Sequence, residues 1–276
     1  MKILLTGGSG FIGRNILPLL RTRYVVDAPT RAQMDVHNQQ SVDAWLAHSP
    51  ADVLIHCAIV TPFKPVDAGK GVLSSLLQSF MLLMRHPFKK MIYIGSGAEY
   101  DKSHPIAGVS EEAIGQRLPA DEYGLGRYVL NRLARTAEHI YNLRVFGCYG
   151  PYETERRFIR HAIDCCLRGE PITIRQDCKF SYVYVEDLAR LMVQIIENGA
   201  PHRDYNVCMD QAYYLTEIAE QVKKSVGCTV PILTRTPGLN PEYTGSNARL
   251  KHDFPQFRFT SLEEGILRQL SWQQNA

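Results

Sequence analysis

The chain has 276 residues, enough to bury a sizeable core as one large domain or two small ones. Hydrophobic residues make up 45% and charged residues 21%, and the net charge of +3 is not gathered into a block of one sign. That is the balance of a soluble globular protein, and it calls for neither a nucleic-acid nor a membrane partner.

No apolar run reaches the length of a membrane span, and no basic or apolar leader precedes the first strand pattern. The seven cysteines are odd in number and lack metal-ligand spacing, so they read as reduced core thiols in a cytoplasmic protein, with no metal expected.

The chain opens on an apolar run at 3–5 that enters a turn with glycines at 7, 10 and 13. A helical pattern of Phe11, Ile12, Ile16, Leu17 and Leu20 follows. In such a turn Gly7 permits the reversal, Gly10 lets a diphosphate approach the backbone, and Gly13 lets helix and strand lie close. The N–H groups around Ser9, Phe11 and Ile12 would then face the phosphates of a dinucleotide. Placement between strand and helix is the context that gives a glycine pattern this meaning.

Strand patterns at 24–27, 52–58, 91–95 and 142–146 alternate with helical patterns at 41–49, 71–85 and 123–139, with Ser41 as the expected opening of the first of these. This alternation predicts an α/β, doubly wound parallel sheet of the Rossmann type. After Gly150-Pro151 the pattern loosens, with helices expected near 156–168, 187–198, 215–226 and 262–272 and short strands at 172–174, 205–208 and 230–233. The expected division is 1–150 as the dinucleotide-binding domain and 151–276 as a small mixed α/β substrate lobe, parts of which return to the sheet.

The end of the second strand bears on the choice of cofactor. Asp27 there would accept hydrogen bonds from ribose hydroxyls and favour NAD. Arg31, helped by Arg14, would instead neutralise the 2′-phosphate of NADP, so both cofactors stay open. His56, ending the third strand, reads as a satisfied buried histidine.

The Gly-x-x-Gly-x-x-Gly spacing after Thr6 resembles that of the extended short-chain dehydrogenase/reductase family, which includes nucleotide-sugar epimerases, dehydratases and 4-keto reductases. The resemblance spans almost the whole chain. It implies that Asp35 and Val36 meet the adenine, and that Cys57, Ala58 and Ile59 line the ribose and nicotinamide path. Thr61 and Phe63 would then approach the sugar. It implies a catalytic Ser96 in Ile94-Gly95-Ser96-Gly97, and a catalytic Tyr123 in Tyr123-Gly124-Leu125-Gly126-Arg127, where Arg127 replaces the family's lysine.

The chemistry of that set can be stated from the residues. Positions four apart share a helix face, so Arg127 would lie beside Tyr123. A cation beside a phenol favours the phenolate, which fits Tyr123 for acid/base work on a carbinol or ketone. Ser96 would hydrogen-bond the same oxygen, while Tyr123 and Arg127 also border the cofactor.

In Leu143-Arg144-Val145-Phe146-Gly147-Cys148-Tyr149-Gly150-Pro151, Gly147 stands where the family usually has asparagine. The resemblance places Phe146 against the cofactor and Gly97, Gly147 and Cys148 against the substrate. In Phe180-Ser181-Tyr182-Val183-Tyr184, Phe180 stands in place of a phosphate-binding arginine and would either stack on a base or fill core space. Lys179, Arg175, Arg156, Arg157 and Arg160 are candidate replacement charges.

The resulting expectation is 4-keto reduction or 4-epimerisation of a nucleotide-diphosphate sugar with NAD or NADP. Dehydration ranks last, because Gly97-Ala98 offers no acid directly after Ser96. The alternative is a dinucleotide-binding sensor or partner-binding protein of the same fold that has lost catalysis, motivated by Arg127, Gly147 and Phe180. By the same resemblance the protein is expected to be a homodimer through the helix that starts at Tyr123.

Overall fold

The computed structural model describes residues 1–59 and 71–275. Its elements run β1 (Lys2–Thr6), α1 (Phe11–Arg21), β2 (Val25–Asp27), α2 (Gln39–His48), β3 (Val53–His56), α3 (Val72–Met84) and β4 (Lys90–Ser96). They continue with β5 (Ile106–Val109), α4 (Glu122–Ala134), β6 (Ile140–Val145), β7 (Gly147–Tyr149), α5 (Phe158–Arg168), β8 (Ile172–Ile174), β9 (Lys179–Phe180) and β10 (Tyr182–Tyr184). The remainder is α6 (Val185–Asn198), β11 (Asp204–Val207), β12 (Tyr213–Tyr214), α7 (Leu215–Val226), β13 (Ile232–Thr234), β14 (Tyr243–Gly245), α8 (Ala248–Asp253) and α9 (Leu262–Asn275).

Six strands form one parallel sheet in the order β11-β6-β4-β3-β1-β2. The chain leaves β1 toward one edge and returns on its other side, so the switch point lies between β1 and β3. Alternate residues of β1 divide the two hydrophobic layers. Ile3 and Leu5 pack with Ile16 and Leu20 of α1 and with Leu188 and Met192 of α6. Leu4 faces Val42 of α2, Phe80 of α3 and Leu130 of α4. Helices on both faces explain why the strands read as nearly continuous apolar runs. The fold is therefore the doubly wound α/β arrangement expected.

Two local readings differ. α2 starts at Gln39, not Ser41, because Asn38 is the cap and its side chain accepts from the Ser41 N–H. The Ser41 hydroxyl is used instead as acceptor for the Asp35 N–H. α4 stops at Ala134, and turns carry the chain to β6, whose first residue pairs with Met91.

The second half builds its own core from α5, α7 and α9 around Tyr149, Ile163, Ile174 and Ile266. A four-stranded sheet in the order β12-β9-β14-β5 joins that half to the segment preceding α4. β11 pairs with β6 at one edge of the main sheet. Among the described residues no helix is long and apolar enough to cross a membrane.

Candidate active site

The carboxyl ends of the parallel strands present Gly7 after β1, Cys57 after β3, Ser96 at the end of β4 and Phe146 after β6. Ligands of open α/β sheets bind at this edge, beside the switch point. Gly7 takes a left-handed backbone (φ 75°), and a Cβ there would lie 2.6 Å from the Ala58 nitrogen. A Cβ on Gly13 would strike the Gly7 carbonyl. Gly10 differs: its added carbon would meet only the Gly7 oxygen, at 3.2 Å, leaving that side of the turn open.

α1 begins with no side-chain cap and no acid in its first turn. Its leading N–H groups are thus left for an outside acceptor, which fits the diphosphate of a dinucleotide. Ser9 is exposed at this turn, and Phe11 and Ile12 are half-buried behind it. Arg14 lies outside, 5.2 Å over the Tyr152 ring.

The adenosine-side candidates have protein partners. Asp27 pairs with Lys2 at 3.0 Å and accepts from the Ser49 hydroxyl at 2.6 Å, so a ribose would compete with both. Burial raises its carboxyl, but those contacts outweigh it and hold it below the usual range. Asp35 accepts from the His37 N–H at 3.0 Å, with Arg31 near enough to help hold it ionised, and Val36 is buried next to it.

His56 is buried and pairs with the Thr6 hydroxyl at 2.7 Å. Burial, and then the Arg127 charge, push its pKa down to about 3, so it is neutral. Cys57, whose thiol burial pushes up to about 12, is likewise protonated. Cys57 and Ala58 are half-buried along the edge and Ile59 is exposed, while Thr61 and Phe63 lie outside the described residues.

Ser96, Tyr123 and Arg127 come together. Asp121 caps α4 by accepting from the Gly124 N–H, which puts Tyr123 in the first turn. The helix can lie close because Gly124 and Gly126 face Ala98 and Leu76. The Arg127 guanidinium is buried, 5.3 Å from the Tyr123 ring centre, and donates to the Ile94 carbonyl at 2.6 Å. Its Nε is buried without a partner among the described residues. An orphan donor at this edge fits a ribose hydroxyl.

Burial raises the Tyr123 phenol. The Arg127 charge beside it, helped by the polar groups of Ser96 and Arg127, overcomes that and leaves it below its ordinary value near 10.

Beneath Ser96 lies a buried ion network that local sequence reading missed. Glu99 and Arg144, both fully buried, pair at 2.8 Å. Glu99 also accepts from the Ser96 N–H and the Asn142 amide, and Arg144 reaches Asp204 at 3.0 Å. The signal was present as a capping box, Ser96-Gly97-Ala98-Glu99, which begins a short 3₁₀ turn directly after β4.

On the substrate side, Phe146 is buried 6.0 Å from Tyr100 and 5.2 Å from Tyr243. Gly97 lies under Tyr243 and Phe146, and Gly147 lies under Phe180 and Tyr182. Phe180 is half-buried among aromatic rings, and the Cys148 side chain points into the main core. Arg157 approaches buried Glu153 at 3.7 Å, and Arg160 stacks on Trp272. A cleft lined by Tyr141, Arg203 and Asp253 lies at the opposite end of β6 from Ser96.

A family model described as the NAD dependent epimerase/dehydratase family matches residues 3–208. The chain belongs to that family. A GDP-L-colitose synthase from Yersinia pseudotuberculosis is 23% identical over 255 residues, covering 82% of each chain. A solved GDP-L-fucose synthetase from Naegleria fowleri bound to NADP superposes with a TM-score of 0.87 at 15% identity, over 99% of this chain and 92% of that one. A dTDP-glucose 4,6-dehydratase from Bacillus anthracis in complex with NAD gives 0.81 at 16% identity, over 100% and 97%. At such identities the structures speak for the fold, while the family's description calls it NAD dependent.

Proposed function

We propose that the protein transfers hydride between a nicotinamide dinucleotide and a sugar carbon of a nucleotide-diphosphate sugar, as a 4-keto reductase or 4-epimerase, with Tyr123 as the acid/base. The observation that carries this reading is the phenol of Tyr123 held below its usual range by buried Arg127 and by Ser96. The bound dinucleotide would supply or take the hydride. Every other part falls to the chain. The α1 turn would seat the diphosphate, and Arg127 would hold the ribose and the phenol. Ser96 would fix the substrate oxygen, and Tyr123 would give or take its proton.

Relatives that act on GDP- and dTDP-sugars support the substrate class. Gly147 and Phe180 give the substrate wall an aromatic character. Residues 151–276, with Gly97, Gly147 and Phe180, would form the sugar-nucleotide side. A homodimer through α4 in the cytoplasm completes the proposal.

The test has two arms, with GDP, dTDP and UDP carriers in each: oxidation of NADH and NADPH by 4-keto sugar nucleotides, and C4 inversion of 4-hydroxy sugar nucleotides followed by chromatography. Turnover of one of them supports the reading. Tight cofactor binding without turnover of any would favour the non-catalytic sensor.

A further inference from the structure

Two cations approach the Tyr123 ring, and only one of them belongs to its own helix. The Arg127 guanidinium, 5.3 Å from the ring centre, is buried and spends one donor on the Ile94 carbonyl. The Lys102 ammonium lies over the same ring at 5.8 Å. It comes from the turn that follows Tyr100, and its side chain is 41% exposed, so water and ions reach it.

That turn is built to hold its shape. Before it, the buried Tyr100 hydroxyl donates to the Ser110 carbonyl at 3.0 Å and to Asn206 at 2.9 Å. Within it, the Asp101 carboxylate accepts from the Ser103 N–H at 3.0 Å and the Ser103 hydroxyl at 2.7 Å, and hydrogen-bonds His104 at 2.8 Å. Asp121 then ties the turn to α4 by dividing its two oxygens. One caps the helix by accepting from the Gly124 N–H at 2.9 Å, and the other pairs with Lys102 at 3.3 Å. A single carboxylate thus fixes both the helical turn that carries Tyr123 and the ammonium over its ring.

A phenolate spreads its charge over ring carbons as well as oxygen, so a cation over the ring favours the ionised form. An ammonium is a compact point charge, whereas a guanidinium is planar and delocalised. Lys102 therefore brings to the phenol a kind of cation that position 127 does not supply.

We propose that Lys102 is a positioning residue: its ammonium, held over the Tyr123 ring by Asp121, favours the phenolate and so helps Tyr123 take and return the substrate proton. The inference rests on the reading of Tyr123 as the acid/base. Tyr123 is also faced by Arg127 of its own helix, Glu99 after β4 and Tyr243 of β14, and Lys102 by Asp121. Asp121 and water offset part of the ammonium's field, so its effect is smaller than that of buried Arg127.

The test needs no substrate. The ultraviolet absorbance of tyrosinate is followed against pH in the full chain, and in each background the Tyr123 signal is the part removed by Tyr123→Phe. Lys102→Met is expected to move that titration upward by about half a pH unit at low salt. Lys102→Arg keeps the charge and is expected to titrate with wild type. In about 1 M salt, where screening acts within about 3 Å, the gap between wild type and Lys102→Met is expected to close. A titration unmoved in Lys102→Met, equally raised in Lys102→Arg, or raised by an amount that salt does not diminish overturns the proposal and leaves the acid/base reading intact. A wild type whose Tyr123 signal titrates no earlier than an ordinary phenol overturns both.

Discussion

Replacing Glu99 by alanine removes the acceptor of four donor contacts at a fully buried position. The Ser96 N–H approaches at 3.1 Å, the Asn142 amide at 3.1 and 3.0 Å, and Arg144 at 2.8 Å. Removing one partner of a buried pair typically costs about 3–5 kcal/mol, because the remaining charge is left uncompensated. Arg144 would still hold Asp204 and Asn206, at 3.0 Å each, so the low end of about 3 kcal/mol is expected.

At a sensitivity of about 2–4 °C per kcal/mol, the melting temperature should fall by roughly 6–12 °C. Calorimetry and urea titration, read together for a common transition, would measure it. Glu99→Gln should also destabilise, since its amide turns a donor toward the donors of Ser96, Asn142 and Arg144. A loss below about 1 kcal/mol for alanine would refute the view that this network anchors the Ser96 segment.

Gly10→Val should leave folding nearly intact, because the added carbon meets only the Gly7 oxygen, yet abolish dinucleotide binding measured by calorimetry. Affinity equal to wild type would remove the turn from the cofactor site. Arg127→Met should raise the Tyr123 titration and slow turnover by about 10²-fold or more, whereas Arg127→Lys keeps the charge and should retain activity. Equal loss in both variants would show that the planar fork, not the charge, is required. His56 is held neutral, with its pKa pushed down from about 6.5 to about 3, so the unfolded chain binds more protons in that range. Stability should therefore fall with pH below about 6.5, with this residue contributing a slope near 1.4 kcal/mol per pH unit. His56→Asn should flatten that slope, and an unchanged slope would place the titration elsewhere.

The fold was legible because its signals are local. Alternating apolar runs, a glycine turn joining β1 to α1 and the long helix carrying Tyr123 each announce themselves within a short window. Boundaries were less so: Ser41 looks like a helix start, but Asn38 three residues earlier takes the cap, and Ser41 serves Asp35 instead. Ser96, Tyr123 and Arg127 were singled out by their resemblance to the family's motifs, and the structure sets Arg127 beside the Tyr123 ring.

Glu99 escaped notice because an acid in a short turn gives no hint that Arg144, 45 residues on and carried by the neighbouring strand β6, will meet it in the core. Tyr243 is a harder case. It lies in a three-residue strand far along the chain, and only the pairing of β14 with β5 and β9 brings it to Gly97. The roles of Gly147 and Phe180 were open for a similar reason, since close approach of a ring to a glycine is a tertiary fact.

The central claim is that Tyr123 moves the proton while the glycine turn holds the cofactor. It is tested most directly by measuring cofactor affinity and turnover side by side in wild type and Tyr123→Phe. The account predicts affinity unchanged within about twofold and turnover lowered by about 10²-fold or more. Turnover equal to wild type would contradict it.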